Sequence, residues 1–197
     1  MSSDIQSTFI QAAVASATAI SLAAEVANNA SLVLIGGSPF TLDAARKISI
    51  SCAGADNGIS FTIVGLDHCG EPITESLQGV DSATIASANY YSSVTSITAV
   101  GDPAGTVSAG TNAAVAAPMF EGRMRLRGMY AVNSSVQGII NFRATSPTGE
   151  LRMRFETLGE PTTAEYPDIP GDGMLFVGGG YVVYNAEELS SITVFYA

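Results

Sequence analysis

Polar and apolar residues alternate along most of this chain. Arg46, Ile48, Ile50 and Cys52 interleave with Lys47, Ser49 and Ser51, the period of two expected of a half-buried strand. Ile59, Phe61 and Ile63 repeat the pattern against Ser60, Thr62 and Val64. Between the two runs, Asp56-Asn57-Gly58 predicts a hairpin turn, because Asn and Gly accept the positive φ such turns need. Asp67 to Gly70 predicts a second turn, and Ile73, Glu75 and Leu77 alternate after it. Further strands are predicted near Tyr90–Val100 and Gly105–Thr111. Met124, Leu126, Gly128, Tyr130 and Val132 then alternate with Arg123, Arg125, Arg127, Met129 and Ala131. Val136 to Phe142, Leu151 to Phe155, Met174 to Val177, Gly180 to Tyr184 and Ile192 to Tyr196 read as the closing strands. Strands every 8–12 residues with turn residues between them define an all-β, antiparallel sandwich or barrel class.

The first 30 residues resist this reading. Phe9, Ala13, Ala17, Ile20 and Ala24 fit a helical face, whereas Ser16 to Ala23 alternates like a strand. An arm ordered against a neighbour fits the composition equally well. Ile5 to Ala24 carries no charge, but Gln6, Ser7, Thr8, Gln11, Ser16, Thr18 and Ser21 make it too polar for a membrane span. No Lys or Arg precedes it, so a secretory signal is not expected either. The expectation is a soluble chain.

Charge marks a division. Residues 1–118 hold nine acids and two bases, Arg46 and Lys47, whereas residues 119–197 hold nine acids and six arginines. Thr111 to Pro118 is small and uncharged, as a connector would be. The expected organisation is an N-terminal arm over 1–30, one β-sandwich over 31–118 and a second, also jelly-roll-like, over 119–197. A net charge of −10 speaks against nucleic acid as a partner, since phosphate neutralisation needs a basic footprint.

Candidate chemistry is sparse. Cys52, Cys69 and His68 are the only Cys and His residues, one ligand short of a structural zinc site. A Cys52–Cys69 disulfide would need an oxidising compartment; the favoured reading is two ordinary thiols, with Cys52 packed beside Ile48 and Ile50. His68 is expected as an exposed turn residue, with Cys69 on the opposite side of the chain. Gly36-Gly37 and Gly178-Gly179-Gly180 match no phosphate-binding motif; the second is expected to be a hairpin turn. Asp168 to Gly173 lacks calcium-loop spacing. No catalytic residue, cofactor or metal is therefore assigned, and an enzyme is not expected.

The arginines are the polar feature above background. Arg123, Arg125 and Arg127 share one strand face, and Arg152 and Arg154 share another. If those strands pair, five guanidiniums form one patch able to grip carboxylates of a neighbour. A solvated outer sheet face explains the same residues.

Two segments resemble known structural modules. The first runs from Leu42 to Gly110 and contains LDAARKISISCAGADNGISFTIVGLDHCGEPITESLQG, YYSSVTSITAVG and GTVSAG. It resembles a module of tailed-bacteriophage virion proteins. The second, from about Gly122 to Ala197, carries TGEL, IPGDGMLF, GGYVV and SITVFY, and resembles small β modules of phage structural proteins. The resemblance implies a non-enzymatic virion component, located in the virion and without catalytic residues to carry over. The expected role is capsid decoration or cement. Its partners would be the major capsid protein or other virion proteins, with homo-oligomerisation and no membrane. Two alternatives stand beside it. One is a tail component such as a tube, adaptor or collar. The other is a carbohydrate- or receptor-binding module using Tyr90, Tyr91, Tyr166, Tyr181 or Tyr184 as stacking rings.

Overall fold

Short β-forming runs cut by Gly, Pro and Asn-rich turns leave little room for helices, and none occurs among the residues described by the computed structural model, 4–160, 164–167 and 169–197. The strands are β1 (Gln6–Ile10), β2 (Ser16–Glu25), β3 (Phe40–Cys52), β4 (Ser60–Asp67), β5 (Pro72–Gln78), β6 (Thr84–Ala86), β7 (Tyr91–Val100) and β8 (Thr106–Phe120). They continue with β9 (Met124–Asn133), β10 (Ile139–Ala144), β11 (Leu151–Glu156), β12 (Ala164–Glu165), β13 (Met174–Phe176), β14 (Gly180–Asn185) and β15 (Leu189–Tyr196). The chain is all-β, with antiparallel pairing.

Residues 1–14 and 114–197 form one compact unit, and residues 15–113 form the other. The divisions expected from the sequence lay at 30/31 and 118/119. The first 30 residues supply β1 to one unit, paired with β15, and β2 to the other, paired with β8.

In the unit of residues 15–113, β8, β3, β7, β4 and β5 lie side by side, with β2 on β8 and β6 on β3. Ile20, Ile48, Ile50, Phe61, Ile63 and Ile97 are fully buried in its core. Residues 30–35 run between β7 and β2: Leu32 N donates to Ile97 O, and Ile35 N donates to Ile20 O. This segment bridges β7 and β2 edge to edge and satisfies backbone groups that would otherwise be left without partners.

The turn at Asp56-Asn57-Gly58 forms, with Ile59 N donating to Asp56 O, but it does not make a hairpin. β3 and β4 each pair with β7 instead of with one another. Neither Asn57 nor Gly58 adopts positive φ, so the mirror-image turn a two-residue hairpin needs is absent. Asp56 is held inward, accepting Ala104 N at 2.7 Å, and Asn57 is tied to Asp81. The second predicted turn does make a hairpin: β4 and β5 pair in register from Ser60–Gln78 to Leu66–Pro72.

Two polar clamps lock this unit. Arg46 is fully buried, in phase with Ile48 and Ile50. Its Nε and Nη2 donate to the two carboxylate oxygens of Asp43 at 2.7 and 2.9 Å, and Nη1 donates to Asn112 O at 3.4 Å. Such a bidentate pair survives burial because its geometry offsets the cost of desolvation. Glu75 is the second clamp. Its carboxylate accepts Ala88 N, Asn89 N, Asn89 Nδ2 and the Tyr91 hydroxyl.

In the unit of residues 1–14 and 114–197, two sheets face one another. One is ordered β1, β15, β9, β12, with β13 also on β9. The other is ordered β11, β10, β14 and the second half of β8. Buried Ile10, Leu126, Met129, Ile192 and Val194 from the first sheet meet a core that Phe142 and Val182 supply from the second. Phe120 and Tyr196 bring rings from opposite sheets to 5.5 Å, and Thr8 Oγ1 donates to Met119 O at 3.1 Å. Gly178 to Gly180 carries the chain from β13 in one sheet to β14 in the other, so it is a crossing and not a hairpin turn. Gly179 has a φ of 90°, and a Cβ at Gly180 would collide with Met119 and crowd Phe176.

Two outcomes follow. Asp43→Ala leaves the Arg46 guanidinium buried without its carboxylate. Because the Asp43 side chain is 37% exposed, the loss belongs at the low end for broken buried pairs, about 3 kcal/mol, measured by urea denaturation. Burial, and next the Glu75 carboxylate, raise the Tyr91 hydroxyl above the ordinary tyrosine value. Its contribution to stability is therefore complete below about pH 10 and declines as pH rises above that, because the unfolded chain loses the proton first. Tyr91→Phe should flatten the alkaline limb of a stability–pH curve; an unchanged limb counts against this role.

Candidate docking face

β9 is the central strand of the β1, β15, β9 sheet, and its side-chain phase changes once. Met124 and Leu126 are buried, and so are Met129, Ala131 and Asn133. A strand without interruption cannot bury both 126 and 129. The register shows the break: Phe195 faces Gly128 while Tyr196 faces Leu126, so Arg127 is an extra residue opposite the pair. This is a β-bulge. It corrects the alternation expected from the sequence, which placed Tyr130 and Val132 on the same side as Met124 and Leu126. Beyond the bulge, Tyr130 and Val132 join Arg125 on the outer face.

Directly opposed residues of an antiparallel pair share a face. One outer row therefore runs Phe9–Thr193–Tyr130, and the next runs Ser7–Phe195–Gly128. Phe9 is 64% exposed and Tyr166 is 70% exposed. The Tyr166 ring packs on Tyr130 with centroids 4.8 Å apart and planes at 56°, a tilted aromatic pair. Arg125 Nη1 donates to Gly173 O at 3.4 Å. Arg127 Nη1 lies 3.9 Å from an Asp172 carboxylate whose side chain is 89% exposed. Gly173 has a φ of 80°, and a Cβ there would strike the Leu126 carbonyl oxygen, so only glycine lets the 171–173 loop lie against β9. The result is an outer sheet face that carries aromatic rings and two guanidiniums.

The predicted arginines divide between two sheets. Arg125 and Arg127 are on β9, with exposed Arg123 just before it. Arg152 and Arg154 are on β11, an edge strand paired with β10 in the other sheet. β9 and β11 do not pair, so the five guanidiniums do not make one patch. Arg152 and Arg154 are matched locally, to Glu150 at 3.1 Å and Glu156 at 2.7 Å. Sequence reasoning did not single out Phe9, Tyr130 or Phe195. The exposed alternation of Ile5, Ser7 and Phe9 held the clue to the first, but the bulge that turns Tyr130 outward has no local signature.

The tyrosines proposed as stacking rings fare unequally. Tyr90, Tyr91, Tyr181 and Tyr184 are at most 8% exposed, which leaves Tyr166. The Asp168 position of the acidic Asp168–Gly173 segment lies outside the described residues.

The tip between β4 and β5 differs from expectation. Its turn brings donor atoms of Asp67, His68 and Cys69 within 4.8 Å of one another, where an extended chain would have separated His68 from Cys69. His68 is partly buried, its Nδ1 3.9 Å from the Asp67 carboxylate. Asp67 Oδ1 accepts Cys69 N at 2.7 Å and Glu71 N at 3.0 Å, an Asx turn that accounts for the clustering. Neither cysteine is in a disulfide; Cys52 is buried and Cys69 exposed. Desolvation is the main cause that raises the Cys52 thiol, and Asp56 adds to it.

No family model, curated protein or solved structure matches the chain. A thiol-reagent titration should find one reactive cysteine per native chain, Cys69, and two after unfolding. Two in the native state would contradict the burial of Cys52.

Proposed function

We propose that the chain is a non-enzymatic structural protein of a tailed-phage particle. It decorates or cements the head through protein–protein contacts with capsid or other virion proteins. The observation that carries the docking role is the outer face of the β1, β15, β9 sheet. It sets Phe9, Phe195, Tyr130 and Tyr166 beside Arg125 and Arg127. Aromatic residues and arginine are the types enriched where proteins meet. The assignment to a phage particle rests on the resemblance of the two segments beginning at Leu42 and Gly122. Low charge density and small side chains suit a protein repeated many times over a surface, where multivalency supplies avidity.

The sugar-binding reading retains one favourable observation, the exposed Tyr166 ring. A glycan array that reports binding lost in Tyr166→Ala would favour it over decoration.

Replacing Arg123, Arg125 and Arg127 together by Glu should abolish incorporation into particles while leaving the circular-dichroism spectrum unchanged. Replacing Arg152 and Arg154 by Glu should leave incorporation intact. Normal incorporation of the triple variant rejects the face as the contact. Antibody labelling of negatively stained particles separates head from tail.

A further inference from the structure

The unit of residues 15–113 carries a surface of complementary character. β2 and the 31–35 segment bound an apolar groove of about 370 Å³. Leu22, Val33 and Ile35 line it and are 63%, 84% and 41% exposed. Its wall includes Glu25, which also lines a neighbouring hollow together with Asp102 and Pro103. The charge of the whole unit has the same sign. Residues 15–113 hold eight acids and two bases. Of those bases, Arg46 is buried against Asp43, and Lys47 lies over the Tyr90 ring at 5.6 Å.

We infer that the aromatic–arginine face of one copy docks on this acid-rimmed apolar groove of a second copy. The inference rests on the reading of the outer face as a docking surface and names its occupant. Charge complementarity selects the partner. Arg125 and Arg127 offer planar donors to carboxylates; Glu25 supplies a carboxylate on the wall of the apolar groove, and Asp102 supplies another in the hollow beside it. The rings of Phe9 and Tyr166 fill the groove, removing exposed apolar surface from water on both sides. An acidic chain of net charge −10 repels its copies at random approach, so only an orientation that brings the arginines to the acids is favoured. Because the two surfaces differ, the contact is head-to-tail, and repetition closes a ring or extends a row.

Sedimentation velocity on the purified full chain tests this with two broken copies. Arg125→Glu/Arg127→Glu spoils the face and keeps the groove. Glu25→Gln/Val33→Asp/Asp102→Asn spoils the groove and keeps the face. Wild type should show concentration-dependent assemblies that weaken with added salt. Each variant alone, with its circular dichroism unchanged, should sediment as a single chain. An equimolar mixture should form a two-chain species that grows no further. Wild type that stays a single chain at every concentration overturns the inference, as does either folded variant that still assembles, or a mixture that does not pair. Single-chain protein that still enters particles sinks this inference alone. Assembly with no incorporation into particles sinks the phage reading alone.

Discussion

One extra residue in β9 decides what this protein presents to its surroundings. A strand has a period of two, so a sheet with one buried face commits every second residue to the core. Arg127 breaks that commitment in the middle of β9. Ahead of it, Met124 and Leu126 fill the core; after it, Met129 and Ala131 do. The core remains continuous, and Tyr130 is released to the outer face beside Thr193 and Phe9. Without the bulge, either Tyr130 would enter the sandwich or Leu126 would leave it. The inner packing and the outer surface are therefore consequences of one local irregularity, and Gly173 supports it by letting the 171–173 loop lie flat against the strand.

The other unit is constrained by satisfied polar groups in place of a bulge. Arg46 occupies a core position in a strand of isoleucines because Asp43, three residues away, offers both carboxylate oxygens. Glu75 collects four donors from residues 88–91 and so fixes the entry into β7, the strand on which both β3 and β4 depend. These contacts specify geometry more than they add stability, since each also carries a desolvation cost.

The all-β class was legible because alternation and turn residues are local signals. The strands from Arg46 to Val100 and from Ile139 to Tyr196 follow the sequence pattern, and β9 follows it up to its bulge. What depended on distant partners was not legible. Asn57-Gly58 carried a hairpin signal, but β7, more than thirty residues later, inserts between β3 and β4. Gly178–Gly180 had the composition of a turn and serves as a crossing between sheets. The arginines were visible as a class; their division between β9 and β11 follows from sheet order, which no spacing within either segment reveals. Phe9 was hidden because its spacing to Ala13, Ala17 and Ile20 fitted a helical face, whereas pairing with β15 makes its segment a strand.

The central claim is that the Phe9–Tyr130–Tyr166 surface is covered by another protein chain in the working state. Oxidative footprinting of Tyr166 across a concentration series of the pure protein, and in assembled particles, measures this directly. The account predicts that Tyr166 labels readily in dilute protein and becomes protected on assembly, while buried Tyr184 is unreactive throughout. Equal labelling of Tyr166 in the dilute, concentrated and particle-bound states would contradict it.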